Sequence, residues 1–371
     1  MTTSTTTSEN IRTGIIWFDR YCEKVQMARN KSFFRKNKKY FLILFVLSIL
    51  AVITVHFGPR YVYRFGGYLW LKKFDSNFTE EQIKTIQKDI QGLKAKIVWS
   101  SSRTGNHEIF LMTLPDLKMV QLTHNPHVNT YPRFSPDGEK IAFCRSQPRW
   151  ISQRNLELWD VYLLSLGKNE ETLLAKNAFT PQWITNNLLS FVRKNKLMTK
   201  NLETGEEKVI LDGDQDSVSS QMTTPEFLRQ DPNFLAITFR GKMDGVFIWN
   251  KVKGTFLKIG SGCQIIWVPS GQEVVWVNNG GNGGTQLLKS SITHVQQNLF
   301  MDLPGRYSHE YFPRLSADGK WLVWGATAEG HEPDVVDYEI FLWKVGTPFS
   351  KAVRLTYNPA NDNWPDIFVQ N

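Results

Sequence analysis

Cysteine is scarce. The chain of 371 residues has three, Cys22, Cys144 and Cys263. None forms a C-x-x-C pair or a cluster, which argues against a thiol-based metal or redox motif. Hydrolase signals are missing too. There is no G-x-S-x-G elbow. The pairs His107–Glu108, His309–Glu310 and His331–Glu332 each lack the second histidine four residues on that a zinc-protease helix requires. The glycine-rich run "NNGGNGGT" (Asn278 to Thr285) has no Lys-Ser/Thr of a phosphate loop and reads as a hairpin connection. "DGDQDS", from Asp212, alternates acids as calcium loops do, but Ser217 and Thr223 stand where such a loop has Gly and Glu. It reads as a solvated loop.

Net charge is missing from most of the chain. The pI of 9.3 suggests a polyanion partner until the charge is divided along the sequence. Residues 1–39 carry nine basic against three acidic residues, and residues 58–95 carry seven against four. From Lys96 to the end the count is 28 against 28. The large domain therefore has no excess charge to hold DNA or RNA, and no nucleic-acid partner is expected.

What separates the two basic flanks is a run without Lys, Arg, Asp or Glu, "YFLILFVLSILAVITVHF" from Tyr40 to Phe57. Extended to Pro59 it measures about 30 Å as helix, enough to cross a hydrocarbon core. It has no polar stripe, as a core helix would, and no A-x-A cleavage site follows it. It reads as a retained signal anchor that contacts the lipid bilayer through residues 40–59. "RNKSFFRKNKK" before it outweighs the basic residues after it, which puts the N-terminus in the cytoplasm and the rest outside. Residues 1–39 form a basic leader and 60–94 a juxtamembrane linker. Within the linker, "TEEQIKTIQKDIQG" predicts a spacer helix over 79–92, with Thr79 and Gln82 as a capping box and Gly92 as the stop.

From residue 95 the pattern becomes short β runs that repeat. "KIVWSSS", "KIAFCRS", "LLSFVRK", "LAITFRGK", "EVVWVNN" and "WLVWGAT" form one set (strand B). "EIFLMTL", "WDVYLLSL", "KLMTKNL", "GVFIWNK", "TQLLKSS" and "EIFLWKV" follow them (strand C), and a weaker third set follows those (strand D). A run opening near proline precedes most B strands (strand A), at Pro132, Pro181, Pro225, about Ile265, Pro313 and Pro365. The mean spacing of about 47 suits a four-stranded propeller blade. The first B–C–D set lacks a strand A, and the closing "WPDIF" supplies one. "LTHNPHVNTYPRF" (Leu122 to Phe134) and "LTYNPANDNWPDIF" (Leu355 to Phe368) thus mark two joints between blades. The fold class expected is all-β, a six-bladed propeller over 95–371 closed by the C-terminal strand. The aromatics Phe110, Tyr162, Trp249 and Phe341 on the C strands read as inter-blade packing.

"PRFSPDGEKIAF", "PRLSADGKWLVW" and "SSSRTGNHEIFLMTLPDLKMVQLT" resemble the WD-like repeats of TolB-type propellers. Similar blades form the propellers of prolyl-oligopeptidase-type peptidases. The resemblance implies a six-bladed propeller in a bacterial envelope, here on a membrane anchor rather than beside the α/β domain of TolB.

Up-and-down strands send B–C loops and D–A linkers to one face. Blades 2 and 6 have long B–C loops there, "RSQPRWISQRNLE" and "ATAEGHEPDVVDY". The linkers add His127 and Asn129, then His309, Glu310 and Tyr311, then Asn361, Asp362 and Trp364, and His331 and Asp337 hang from the blade 6 loop. Loops on a rigid scaffold concentrate binding function, so these residues form the candidate channel-mouth site. The expected function is a periplasmic scaffold at the inner membrane that binds an envelope protein, periplasmic or outer-membrane, or a peptide, with no cofactor. The alternative is a metal-assisted polysaccharide lyase or hydrolase built on His309, His331, Asp337 and Asp362.

Overall fold

The computed structural model describes residues 78–370, apart from 91, 216, 217 and 219. The leader, the apolar run 40–59 and the following segment to 77 lie outside the described residues, and the expected membrane helix lies there with them. Among the described residues no helix is long and apolar enough to cross a membrane.

Helix α1 spans Glu80–Asp89. Gln82 N–H donates to Thr79 Oγ1 at 3.2 Å and Thr79 N–H donates to Gln82 Oε1 at 2.8 Å, so two otherwise orphaned amides are satisfied reciprocally. The helix ends short of Gly92, which takes φ +80 and turns the chain away. Its apolar face, with Ile86, Ile90 and Leu93 buried, packs against Leu117, Val353 and Leu355. Burying each isoleucine stabilises this contact by about 1.5–3 kcal/mol. The helix is therefore a part of the domain, lodged where blades 6 and 1 meet.

Among the described residues, twenty-four strands form six four-stranded antiparallel sheets. Blade 1 takes its strands B, C and D from Ala95–Ser101, Glu108–Leu114 and Lys118–Gln121, and strand A from Asp362–Val369. Blade 2 runs Asn129–Phe134, Lys140–Ser146, Trp159–Ser165, Glu170–Ala175. Blade 3 runs Phe179–Thr185, Leu188–Arg193, Lys196–Asn201, Glu207–Asp212. Blade 4 runs Ser220–Phe227, Phe234–Gly241, Gly245–Asn250, Thr255–Gly260. Blade 5 runs Cys263–Trp267, Glu273–Gly280, Gly284–Ser291, Asn298–Met301. Blade 6 runs His309–Leu315, Trp321–Thr327, Tyr338–Lys344, Val353–Arg354.

The B strands are buried on both faces because each sheet stacks between two others, which is why they read as continuous apolar runs. Trp99, Phe143, Phe191, Phe239, Trp276 and Trp324 are the large side chains at their centres. Strand D of blade 1 instead alternates exposed and half-buried positions, as an outer edge strand does. The C-strand aromatics Phe110, Trp249 and Phe341 are buried, and Tyr162 is half-buried against Phe143.

Ring closure is explicit in the pairing. Strand B of blade 1 pairs with the C-terminal strand from Ala95↔Val369 to Ser101↔Asp362. Gln370 N–H to Lys94 O, 2.9 Å, and Ser102 N–H to Asn361 O, 3.1 Å, extend the joint at both ends. The turn of blade 2 leans on this strand too. A Cβ at Gly138, where φ is +70, would lie 2.5 Å from the Phe368 ring, so only glycine fits the fourth position of "SPDG".

Every strand A carries a bulge, and its first residue is left-handed. Tyr131, Thr180, Thr224, Gln264, Phe312 and Trp364 all have φ between 46 and 59. In five blades the next residue is proline, which lacks the N–H that the disrupted ladder would leave unpaired. Blade 5 keeps the bulge with Ile265 in place of proline.

The repeated phrase is a latch from strand D back to strand C. Leu122 N–H donates to Ile109 O at 2.8 Å, and Leu355 N–H donates to Ile340 O at 2.7 Å. Thr123 and Thr356 accept the Ile109 and Ile340 N–H groups at 2.8 and 2.9 Å. The N–H groups of Asn125 and Asn358 then donate to the carboxylates of Glu108 and Glu339, at 2.8 and 3.1 Å. Asn125 and Asn358 also accept from the residue two places on, at 3.0 and 2.9 Å, a turn that suits Asn before Pro. Two distant segments share one set of hydrogen bonds.

Candidate functional site

The channel is filled. At the level of the bulges Trp364 packs between Tyr131 and Phe312, its ring tilted to both, with centroids 4.5 and 4.3 Å away. Two residues further along each strand A lies a second ring, made of Arg133, Gln182, Glu226, Ile266, Arg314 and Asp366. Arg314 bridges Glu226 at 2.9 Å and Asp366 at 3.4 Å. Arg133 lies 3.9 Å over the Tyr131 ring and its Nε has no hydrogen-bond partner among the described residues. The cavity between the two rings is about 10 Å³, the space of one water. Desolvation raises the Glu226 carboxyl, against the pull of Arg314.

Above the aromatic plug the long B–C loops of blades 2 and 6 meet and roof the channel. Ser152 Oγ–H donates to one Asp334 oxygen, and Gln153 N–H donates to the other at 2.9 Å. Arg154 pairs with Glu332 at 2.8 Å. Asn361 and Asn363 both donate their amides to Pro333 O. Trp364 Nε1–H reaches up to Gln153 Oε1 at 2.7 Å, tying plug to roof. Trp150, Leu158 and Val335 stand exposed on the outer side of these loops, each more than 40% accessible.

The ten residues expected at the channel mouth separate into two groups. Asn129, Glu310 and Asp362 occupy one register position, two residues before the left-handed bulge residue, and all three are fully buried. They bind neighbouring blades together. Asn129 donates to Glu108 at 2.7 Å and accepts from Arg145 at 2.8 Å. Asp362 accepts from Trp99, Asn358 and, through both oxygens, Arg103. Glu310 accepts from Leu303 N–H at 2.7 Å, while its other oxygen has no partner among the described residues. Burial pushes Glu310 up to about 8 and Glu339 up to about 9, and Glu108 up to about 7 despite its hydrogen bonds.

The remaining residues do face the loop side. Tyr311 stacks near His331, centroids 6.2 Å apart, and touches Tyr338 edge-on. His309 packs over the glycine-rich hairpin, where a Cβ at Gly284 would lie 3.0 Å from its ring, so the glycines serve a close approach. Desolvation, then the charge of His331, lowers the His309 pKa. His127 turns outward to Pro148 O at 3.3 Å. Asn361 and Trp364 belong to the roof and plug. Asp337 is exposed to solvent, yet its surroundings and the Asp362 charge push it up to about 7; contact with water works against that rise.

His309, His331, Asp337 and Asp362 do not converge. Among the described residues no group of three or more His, Cys, Asp or Glu is placed to hold a metal ion. A Ser–His contact that the sequence pattern did not flag lies in the blade 1 joint, with Ser100 Oγ 2.9 Å from His107 Nδ1. Ser100 is fully buried and its hydroxyl donates to Asn129 O at 2.8 Å. The hydroxyl therefore accepts from Nδ1–H, and His107 cannot take its proton. Burial lowers His107 to about 4. The pair is packing.

No family model matches the chain, and no curated protein matches it. Solved structures do. TolB from Acinetobacter baumannii is 12% identical and aligns over 75% of this chain and 68% of its own at a TM-score of 0.55. A putative TolB from Agrobacterium tumefaciens is 12% identical over 76% of this chain and 99% of its own, at 0.50. An oligogalacturonate lyase from Vibrio parahaemolyticus is 16% identical over 70% and 74%, at 0.46. At these identities the likeness is one of fold. The domain is a TolB-like six-bladed propeller.

Proposed function

We propose that this chain is a membrane-anchored scaffold of a bacterial envelope, whose propeller docks an envelope protein or a peptide segment through its loop face. Residues 40–59 hold it in the inner membrane, with the leader in the cytoplasm and the propeller in the periplasm. The observation that carries the reading is the roof itself. Two loops from blades 2 and 6 are built out over the channel and carry Trp150, Leu158 and Val335 exposed among charged side chains. Exposed apolar side chains set among charged ones have the composition of a docking surface.

The test is capture. The full-length chain in detergent is expected to retain an envelope protein, and Trp150→Ala or Tyr311→Ala to reduce its recovery at least several-fold. Recovery unchanged by both substitutions would overturn the loop face as the docking surface. Protease added to intact spheroplasts is expected to digest the propeller and spare the leader; the reverse would overturn the topology.

A further inference from the structure

The segment Glu332-Pro333-Asp334 is held as a bound peptide is held. Its two carboxylates and its central carbonyl meet donors from outside its own loop. The Asp334 carboxylate takes the Ser152 hydroxyl and the Gln153 N–H. The Pro333 carbonyl takes two side-chain amides, from Asn361 and Asn363. The Glu332 carboxylate takes the Arg154 guanidinium. The backbone hydrogen bonds of residues 332–337 stay within the loop and its junction with strand C, from Val335 and Val336 N–H to Glu332 O and from Tyr338 N–H to Val336 O. No ladder ties the segment to the sheet beneath it.

We propose that the blade 2 loop and the start of the closing strand form a receptor for an acidic turn of another protein, with two carboxylates flanking one residue, and that Glu332-Pro333-Asp334 occupies it in cis as an autoinhibitory mimic. The donors are of the type that reads carboxylates: a hydroxyl, a backbone N–H and a guanidinium on one short stretch, Ser152 to Arg154. Two of the three are poised to exchange. The Arg154–Glu332 pair is about half exposed on both sides, which keeps it weak. Asp334 is desolvated, which raises its carboxyl against the hydrogen bonds from Gln153 and Ser152, so release to water offsets part of the cost of leaving. Proline between the acids stands second in the turn that Val335 N–H closes on Glu332 O at 3.1 Å, and leaves no backbone donor to satisfy.

The inference rests on the loop face being a docking surface but names what that surface reads, and peptide binding tests it apart from partner capture. The probe is a fluorescein-labelled peptide of residues 329–337, titrated by anisotropy into the full-length chain in detergent micelles. The native chain is expected to bind it weakly. The doubly substituted chain, Glu332→Gln with Asp334→Asn, keeps the loop's shape and is expected to bind at least tenfold more tightly. Glu332→Ala with Asp334→Ala serves as the second variant, and both are checked by their melting curves. Adding Arg154→Ala to either should return binding to the native level. A peptide carrying Glu332→Gln and Asp334→Asn should not bind. The proposal is overturned if folded double variants bind the acidic peptide no more tightly than the native chain, or if the neutral peptide binds as well. Peptide binding without any effect of Trp150→Ala on capture would sink the scaffold reading and leave the receptor standing.

Discussion

Blades 6, 1 and 2 and blades 3, 4 and 5 are built on one four-stranded plan, yet their joints differ in chemistry. The position two residues before the left-handed bulge is Glu310, Asp362 and Asn129 in the first half, and Ala178, Met222 and Gly262 in the second. The first half also holds the latches on Glu108 and Glu339 and the clasped loops. In the second half the B–C connections are tight turns, such as Lys194–Asn195 with φ 47 and 55. In blades 3, 4 and 5 apolar or small residues suffice at that position. In blade 1, where the two ends of the chain pair, and in the blade on either side of it, buried carboxylates and amides add directional bonds that fix which residue faces which. Buried polar density here is centred on the blade that closes the ring.

The largest effect should come from removing the closure. Deleting residues 362–371 strips blade 1 of strand A and leaves strand B of blade 1 as an open edge. The product is expected to elute as aggregate and lose its cooperative melt. A truncated chain that melts like the intact one would show that the seam carries no special weight. Next comes the joint alone. Asp362→Ala leaves Arg103 buried without its carboxylate, a loss of about 3–5 kcal/mol for a broken buried pair, read from urea unfolding. An equal loss from Ala178→Gly in the far half would erase the distinction between the two halves.

The pH dependence tests the same joints from another side. Glu310 is held protonated by burial, with a value near 8 instead of the ordinary 4.5. Folding takes up a proton within that window, so this group's stability is complete below about pH 4.5 and falls as pH rises toward about 8. The slope approaches about 1.4 kcal/mol per pH unit. Glu310→Gln should flatten that part of the profile, since the amide mimics the protonated form. A profile unaltered by the substitution would mean that Glu310 is ionised in the folded chain.

Much of this architecture was legible beforehand, and the reason is local. Strand alternation, Ser-x-Asp-Gly turns and the proline of each strand A are set by neighbours in sequence, so blade count, closure and the hairpin reading of Asn278 to Thr285 followed from pattern. Blade 5 shows the limit of the proline signal, because Gln264 adopts the left-handed bulge without one. The site was less legible. Asn129, Glu310 and Asp362 look like any polar linker residues, and only the partners brought in from the preceding blade or the linker that leaves it, Glu108, Leu303 and Asn358, reveal them as joint residues. Counting back from the left-handed position would have aligned all three. The clasp between Ser152 and Asp334 joins residues 182 apart, and nothing in either loop announces the other.

The smallest expected effect on stability is the sharpest test of what the first half adds beyond closure. Trp150 is 43% exposed and anchors no joint. Trp150→Ala should change folding stability by no more than about 0.5 kcal/mol, well below the loss for Asp362→Ala in the same half. If its side chain is there to meet a partner, the same substitution should still weaken capture several-fold, because aromatic anchors dominate interface energy. A variant that melts normally and binds poorly separates the two uses of this half of the ring. One that loses stability along with binding would place Trp150 with the joints, and the distinction between closing the ring and reading a partner would fail at its most exposed residue.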